Sequence, residues 1–147
     1  MKSILLVDDE AMICVELQRT LEELGYQVET SHTVESALGS ISEFRFDGMI
    51  VEFNLNPGNA TDPRTGGGIR LISELRKSGI RIPILVYTSM DGHAYETASL
   101  DAGADHFALK KTPISDFFSS LDEHVIMRGA TSVADPSNSM RKTPTRR

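Results

Sequence analysis

The chain is poor in cysteine and in long apolar runs. Cys14 is the only cysteine, which excludes an internal disulfide and fits a reducing compartment, and we expect it to be an ordinary helix residue. The first apolar run, residues 4–7, is too short for a signal peptide. No apolar run approaches the roughly 20 residues of a membrane span. We therefore expect a cytoplasmic protein that does not enter membranes.

Positive charge is also scarce. The sequence holds 15 Lys and Arg against 21 Asp and Glu, for a formal net charge of -6. This balance argues against a nucleic-acid binder, because such proteins usually carry a basic footprint. Residues 1–127 have the length and composition of a single domain, whereas 128–147 hold little to bury and are expected to be a disordered basic tail.

Within residues 1–127, short β-type runs alternate with helical patterns. This alternation is typical of an α/β domain, with a parallel sheet and helices on its faces. The predicted strands are Ser3–Val7, Gln27–Ser31, Met49–Glu52, Ile84–Thr88 and His106–Leu109. The predicted helices are marked by Ile13, Leu17 and Leu21, by Val34, Leu38 and Ile41, by Leu71, Ile72 and Leu75, by Ala94–Ala102, and by Ile114, Phe117, Phe118, Leu121 and Val125.

Polar side chains follow several of the predicted strands. In open α/β sheets the ligand crevice lies at the carboxyl ends of the strands, so these side chains should converge. Taken singly, each is most often a solvated strand end. Together, adjacent carboxylates with a third nearby suit Mg²⁺, and a hydroxyl and an ammonium suit a phosphoryl group. They are Asp8 and Asp9 after strand one, Glu52 at the end of strand three, Thr88 and Ser89 at strand four, and Lys110 and Lys111 after strand five.

Four segments, "ILLVDDE", "DGMIVEFNLNPG", "ILVYTS" and "AGADHFALKK", resemble the receiver domains of two-component response regulators. The resemblance implies a doubly wound, flavodoxin-like sheet of five parallel strands in the order 2-1-3-4-5, with five helices. It also implies a role for each matching residue. Asp8, Asp9, Glu52 and the backbone carbonyl of Asn54 would hold Mg²⁺, while Thr88 with Ser89, Phe107 and Lys110 would form the switch and phosphoryl contacts.

Glu52 is the main departure, because receivers carry the phosphate-accepting aspartate there. Its carboxylate lies about 1.5 Å further out, and a misplacement of about 1 Å can slow a positioned reaction on the order of a hundredfold. We hypothesise that Glu52 reaches Thr88 and Lys110 and mimics a phosphorylated aspartate. The alternative is a pocket of Asp8, Asp9 and Glu52 that still accepts phosphate from a histidine kinase or phosphotransfer protein.

Two further segments differ from the family pattern. The loop 56–68, with two prolines and four glycines, is long for a receiver and would cover the pocket or contact a partner. Lys111 and Thr112 stand between Lys110 and Pro113, where receivers have proline directly after the lysine. Lys111 is therefore an alternative to Lys110 as the phosphoryl contact.

The resemblance implies a non-enzymatic receiver that acts by binding proteins, and the short, apolar-poor carboxy-terminal segment leads us to expect a stand-alone one. A sensor kinase, a phosphotransfer protein or a downstream target would dock on the face of helix four, strand five and helix five, and a homodimer is a further option. A degenerate receiver with a purely structural role is one alternative. A small phosphatase of the haloacid dehalogenase type is another, but its second aspartate would fall at Glu10 and it would need a cap domain.

Overall fold

A computed structural model describes residues 1–55 and 65–131 of the chain, with side chains as far as Ile126. Within these residues, five strands alternate with five helices. The strands are β1 (Ser3–Val7), β2 (Gln27–Ser31), β3 (Gly48–Val51), β4 (Ile84–Thr88) and β5 (His106–Leu109). The helices are α1 (Ala11–Glu23), α2 (Val34–Glu43), α3 (Gly67–Lys77), α4 (His93–Ala102) and α5 (Ile114–Thr131).

All strand pairs are parallel, and the strands lie in the order β2-β1-β3-β4-β5. The predicted fold class and strand order are therefore confirmed. Four strands have the predicted bounds, while β3 begins and ends one residue earlier than expected. Glu52 consequently lies just beyond the strand, although its amide still donates to the Val7 carbonyl at 2.9 Å.

The sheet is buried on both faces, since successive side chains of a strand point to opposite sides. Leu5 and Val7 of β1 face a core formed with α2, α3 and α4. Ile4 and Leu6 face a second core, which includes Leu17 of α1 and four apolar side chains of α5. Every residue of β1 is buried, as expected for a central strand of a parallel sheet.

The last helix, α5, extends into the segment 128–147 that was predicted to be a disordered tail. Helix α5 continues to Thr131, so residues 128–131 are helical, and 132–147 lie outside the described residues. The last buried side chain of α5 is Val125 among those described, but each added residue extends an existing helix at little cost in nucleation. Among the described helices, none combines the length and apolar character that crossing a membrane requires.

The loop 56–68 is only partly described, because residues 56–64 lie outside the described ranges. Its last glycines are helical, since α3 begins at Gly67. A Cβ atom on Gly68 would lie 2.5 Å from the Glu52 carbonyl oxygen and 2.9 Å from that of Phe53. Glycine at this position thus allows α3 to approach the end of β3 closely.

Helix α4 packs lightly, because Ser99 is its one buried residue. Its C-terminal end is held by Arg76 of α3. The Arg76 guanidinium donates to the Gly103 carbonyl at 2.9 Å and to Asp105 Oδ2 at 3.0 Å. Asp105 Oδ2 also accepts from the Ile84 amide at 2.9 Å, which joins the start of β4 to the same cluster.

Candidate functional site

Glu52 is buried at the carboxyl end of the sheet, with 4% of its surface exposed. Both of its carboxylate oxygens are hydrogen-bonded. Oε1 accepts from Lys110 Nζ at 2.9 Å, and Oε2 accepts from the backbone amide of Asn54 at 3.0 Å. Glu52 is therefore an internally paired group and not the solvated end of a strand.

Asp8, at the end of β1, shares the same lysine. Its Oδ2 accepts from Lys110 Nζ at 3.0 Å, while Oδ1 accepts from the Glu10 amide at 2.9 Å. The three charged side chains are nearly inaccessible, with 3% of Asp8, 4% of Glu52 and 14% of Lys110 exposed. Such a buried group is stable only when the charges are paired and their hydrogen bonds are made, which is the case here.

Burial changes the proton affinities of the group. It raises the pKa of the Asp8 carboxyl above its usual value, although the bonds from Glu10 and Lys110 act in the opposite direction. Burial alone would lower the pKa of Lys110, but the bonds to Glu52 and Asp8 outweigh it, so this pKa is raised. Lys110 is therefore a fixed cation between two acids.

Lys110 and Lys111, which follow β5 directly, point in different directions. Lys110 enters the acidic pocket, whereas Lys111 Nζ pairs with Asp91 Oδ2 at 2.6 Å on the surface. The side chains of that surface pair are 71% and 61% exposed. Of the two lysines, Lys110 is therefore the one that contacts the buried acids.

The carboxylates offer a set of oxygen ligands suited to Mg²⁺. Oxygen atoms of Asp8, Glu10 and Glu52 lie within 4.8 Å of one another. Hard divalent cations prefer such ligands, so the donor set fits Mg²⁺, with Lys110 neutralising one of the three charges. Asp9 is half-buried and lies outside this trio, so Glu10 takes the third place in the cluster.

The residues that the resemblance assigned to the switch make no hydrogen bond to Glu52 within the described part of the chain. Thr88 is fully buried, and its Oγ1 accepts from the Met90 amide at 3.2 Å. Among the described residues Glu52 makes no hydrogen bond to Thr88, so only the expected contact with Lys110 is formed. Ser89 is exposed, and Phe107 is half-buried against the core that faces α4. Asn54 is exposed and contributes its amide.

Three neighbours of the pocket were missed by the sequence analysis. The Glu10 amide donates to the Asp8 side chain, and the resulting turn places the Glu10 carboxylate in the acidic cluster. His32 Nδ1 lies 2.9 Å from the Asp8 carbonyl, a distance that fits a donated hydrogen bond. Cys14 Sγ donates to the same carbonyl at 3.3 Å, and burial first, then Asp8, raise the pKa of Cys14 to about 11. Cys14 is thus a neutral thiol and supports the backbone of Asp8.

Phe53 extends the site toward α4. Its ring is fully buried and meets Tyr95 of α4 edge to face, with ring centroids 5.2 Å apart. The residue next to Glu52 therefore contacts the first turns of α4 directly. Phe107, which the resemblance assigned to the switch, packs against the same core as Phe53 and Tyr95.

A family model described as "Response regulator receiver domain" matches residues 4–122. The chain belongs to this family. The receiver is 32% identical over 118 residues to Response regulator MprA of Mycobacterium avium, a match that covers 80% of this chain and 48% of that protein. MprA of Mycobacterium tuberculosis gives the same identity and coverage. The receiver thus spans about half the length of the curated relatives it matches.

Solved structures support the same fold. A CheY-like receiver domain protein from Methanospirillum hungatei has a TM-score of 0.78 at 24% identity, covering 89% of this chain and 98% of that one. Response regulator protein TrrA from Thermotoga maritima, in complex with Mg²⁺-BeF, has a TM-score of 0.71 at 25% identity and covers 84% of this chain and 98% of its own. The chain is a receiver of two-component signalling.

Proposed function

We propose that Glu52 stands in for an acylated aspartate, and that this receiver signals through protein contacts without accepting phosphate. The observation that carries the proposal is the 2.9 Å bond from Lys110 Nζ to Glu52 Oε1. In the family, the corresponding lysine contacts the phosphoryl group. In this receiver it already contacts the longer carboxylate.

The geometry also weighs against phosphate transfer to Glu52. Each of its oxygens already accepts a hydrogen bond, and its burial leaves little room for an approaching phosphoryl donor. A transfer reaction needs a free and aligned oxygen, so displacement and pairing both slow it. We therefore infer that the pocket does not turn over phosphate.

The mimicry is partial. A carboxylate carries at most one charge and two acceptor oxygens, whereas a phosphoryl group brings about -1.5 to -2 charges and three oxygens. The Thr88 hydroxyl accepts a hydrogen bond from the Met90 amide, so Glu52 would influence the state of the receiver through Lys110. A bias of about 1.4 kcal/mol between two states is still a tenfold change in population, which suffices for a signal.

Intact mass after incubation with a small acyl-phosphate donor and Mg²⁺ tests the proposal. We expect no phosphoryl adduct on the wild-type chain and a single adduct on the Glu52→Asp variant, which restores the shorter carboxylate. The variant serves as the matched control for the donor and the metal. An adduct on the wild-type chain, mapped to Glu52 or to the Asp8–Asp9 pair, would instead establish the alternative of a phosphate-accepting receiver.

We also propose that Mg²⁺ binds at the acidic cluster with Asp8 and Glu52 as ligands. A metal that binds the folded state raises the melting temperature, and neutralising a ligand removes that increase. Asp8→Asn should abolish the Mg²⁺-dependent shift. Comparing Asp9→Asn with Glu10→Gln then identifies the third acid, because the family pattern points to Asp9 and the geometry to Glu10. An equal shift in Asp8→Asn would contradict the proposed site.

A protein partner is proposed to dock on the face formed by α4, β5 and α5. Support for this comes from Phe53 and Tyr95, which link the pocket to α4, and from the light packing of α4. Replacing Glu52 with Gln should weaken binding to such a partner, because it removes the charge that Lys110 contacts. Unchanged affinity would leave the receiver as a structural module.

A further inference from the structure

An open cleft of about 470 Å³ follows the outer edge of β5. All four residues of β5 line it, flanked by the first turn of α4 on one side and the first turns of α5 on the other. Because β5 is the last strand of the sheet formed by the described residues, it has a strand partner, β4, on one side only. An edge strand of this kind presents unpaired backbone groups to whatever enters the cleft.

The ladder between β4 and β5 shows which groups these are. The Lys110 amide donates to the Thr88 carbonyl at 2.7 Å, and residues of a parallel strand alternate in the neighbour they face. Phe107 and Leu109 therefore direct their backbone groups away from β4. The Leu109 carbonyl accepts from the Thr112 amide at 2.9 Å. Within the described ranges, the Phe107 amide and carbonyl and the Leu109 amide therefore remain available to a new strand.

The rim of the cleft is acidic. Glu96 of α4 and Asp116 of α5 are exposed on opposite sides of β5, and Asp91 joins them near the end of the cleft. Asp91 already pairs with Lys111, but neither Glu96 nor Asp116 has an ion-pair partner among the described residues. In the described part of the chain, the lining contains no lysine or arginine. A segment that enters the cleft thus meets carboxylates above and below its backbone.

We propose that this cleft binds an extended, cationic segment of a protein partner, which adds to β5 as a strand and places Lys or Arg side chains against Glu96 and Asp116. The proposal deepens the proposed function, since it rests on signalling through this face. Main-chain bonds would supply part of the affinity, and the alternating side chains would supply the selectivity. A second copy of this chain fits less well, because it would bring the same carboxylates against each other.

The probe is a labelled peptide, Val-Arg-Arg-Val-Arg-Arg, whose arginines point to both faces of an added strand. Its binding to the full chain is measured by fluorescence anisotropy. Two matched peptides serve as controls, one with glutamate for arginine and one with the arginines kept but alternate backbone amides methylated. We expect no binding of the acidic peptide, and about tenfold weaker binding of the methylated one, because it lacks main-chain donors.

Variants of the protein test the same contacts from the other side. The double variant Glu96→Gln and Asp116→Asn should weaken binding about fivefold, whereas Glu16→Gln with Glu23→Gln, two exposed acids of α1, should leave it unchanged. Bound peptide should also slow hydrogen exchange at the Phe107 and Leu109 amides. Retained protection in the double variant, at saturating peptide, would confirm that the backbone contact is separate from charge.

Several results would overturn the proposal. If the methylated and unmethylated peptides bound with equal affinity, strand addition would be excluded. If the α1 control variant weakened binding as much as the cleft variant, the binding would depend only on the net charge of the protein. If, without peptide, the Phe107 amide were protected from hydrogen exchange more strongly at higher protein concentration, the occupant of the cleft would be a second copy of the chain. If protection of Phe107 without peptide were lost on changing four basic residues to Gln, the occupant would be the chain's own basic segment. These residues are Arg141, Lys142, Arg146 and Arg147. None of these results depends on phosphorylation at Glu52, so failure here is distinguishable from failure of the mimicry proposal.

Discussion

The acidic pocket and the β5 cleft each contain three carboxylates, but the two sets differ in burial and in pairing with a cation. In the pocket, Asp8 and Glu52 are buried and share Lys110. At the cleft, Glu96 and Asp116 are exposed and have no cation of the described chain beside them. Within the described residues, the buried acids are thus paired with a cation, whereas the exposed acids Glu96 and Asp116 are not.

This difference has an energetic basis. Buried charges without partners destabilise a fold by several kcal/mol, whereas exposed pairs contribute about 0 to 1 kcal/mol. The pocket acids therefore require an internal cation, which Lys110 supplies. The cleft acids are free to select a partner at almost no cost to stability. The following variants test whether the two regions differ in this way.

The largest effect is expected from Lys110→Met. It leaves Asp8 and Glu52 buried without their cation, so the free energy of unfolding at pH 7 should fall by about 3–5 kcal/mol. The pKa of Asp8 is already raised by burial, and losing Lys110 raises it further. The deficit should therefore shrink as the pH falls toward about 4, because Asp8 becomes protonated.

Urea unfolding of Lys110→Met and of Lys111→Met provides the measurement and its control. Lys111 belongs to an exposed pair, and its loss should change stability by less than about 1 kcal/mol at any pH. Equal effects of the two substitutions would mean that the buried pocket does not depend on its cation. The contrast between pocket and surface would then be lost.

A smaller effect is expected at Gly68, where α3 meets the end of β3. Gly68→Ala places a Cβ atom 2.5 Å from the Glu52 carbonyl oxygen, so the backbone must shift and the unfolding free energy should fall by about 1–3 kcal/mol. Gly39→Ala in α2 is the matched control. Nothing lies within 4 Å of its added Cβ atom, and alanine favours the helix, so this variant should gain about 0.5–1 kcal/mol.

Thermal unfolding of the two glycine variants gives the sign of each change directly. Opposite signs would show that the closeness of α3 to the pocket, and not glycine itself, determines the result. Destabilisation of both variants by the same amount would contradict the close packing at the end of β3.

The smallest effect is expected at His106, which lies in β5 beside the cleft. Burial, and then the nearby His124, lower the pKa of His106 below its usual 6.5. The unfolded chain therefore binds this proton more readily, so His106 stabilises the fold above about pH 6.5 and this contribution is lost as the pH falls toward the lowered pKa. Glu96 and Glu123 oppose the shift and limit its size.

Stability measured across this pH range should show a shallower slope in His106→Gln than in the wild type. His93→Gln is the control, because His93 is exposed at the start of α4. An unchanged slope in His106→Gln would assign the pH dependence to other groups.

Most of the fold could be predicted because the strands and helices carry clear periodicities. The apolar run 4–7 and the other predicted strands indicate a buried parallel sheet. The order of the strands, in contrast, came from the family resemblance. The end of β3 was placed one residue too late, because Glu52 continues the backbone bonding of the strand without belonging to it. The length of α5 was underestimated, because the apolar pattern used for the prediction ends at Val125 whereas the helix continues to Thr131.

The candidate site was predicted in part. The convergence of Asp8, Glu52 and Lys110 followed from their positions at strand ends, and the structure brings them together. The choice between Lys110 and Lys111 depends on how the chain leaves β5, which sequence patterns do not show. The place of Glu10 depends on a turn closed by the Asp8 side chain. The cleft could not be predicted from the sequence, since it depends on the open backbone of an edge strand.

The most direct test of the central claim compares backbone amide NMR spectra of the wild type, Glu52→Gln, and Glu52→Asp with and without Mg²⁺ and beryllofluoride. Beryllofluoride imitates the phosphoryl group on the restored aspartate. If Glu52 stands in for an acylated aspartate, the wild-type resonances of Thr88, Phe107 and α4 should lie nearest those of the loaded Glu52→Asp variant, and those of Glu52→Gln nearest the unloaded one. Wild-type resonances that coincide with the unloaded variant would contradict the account.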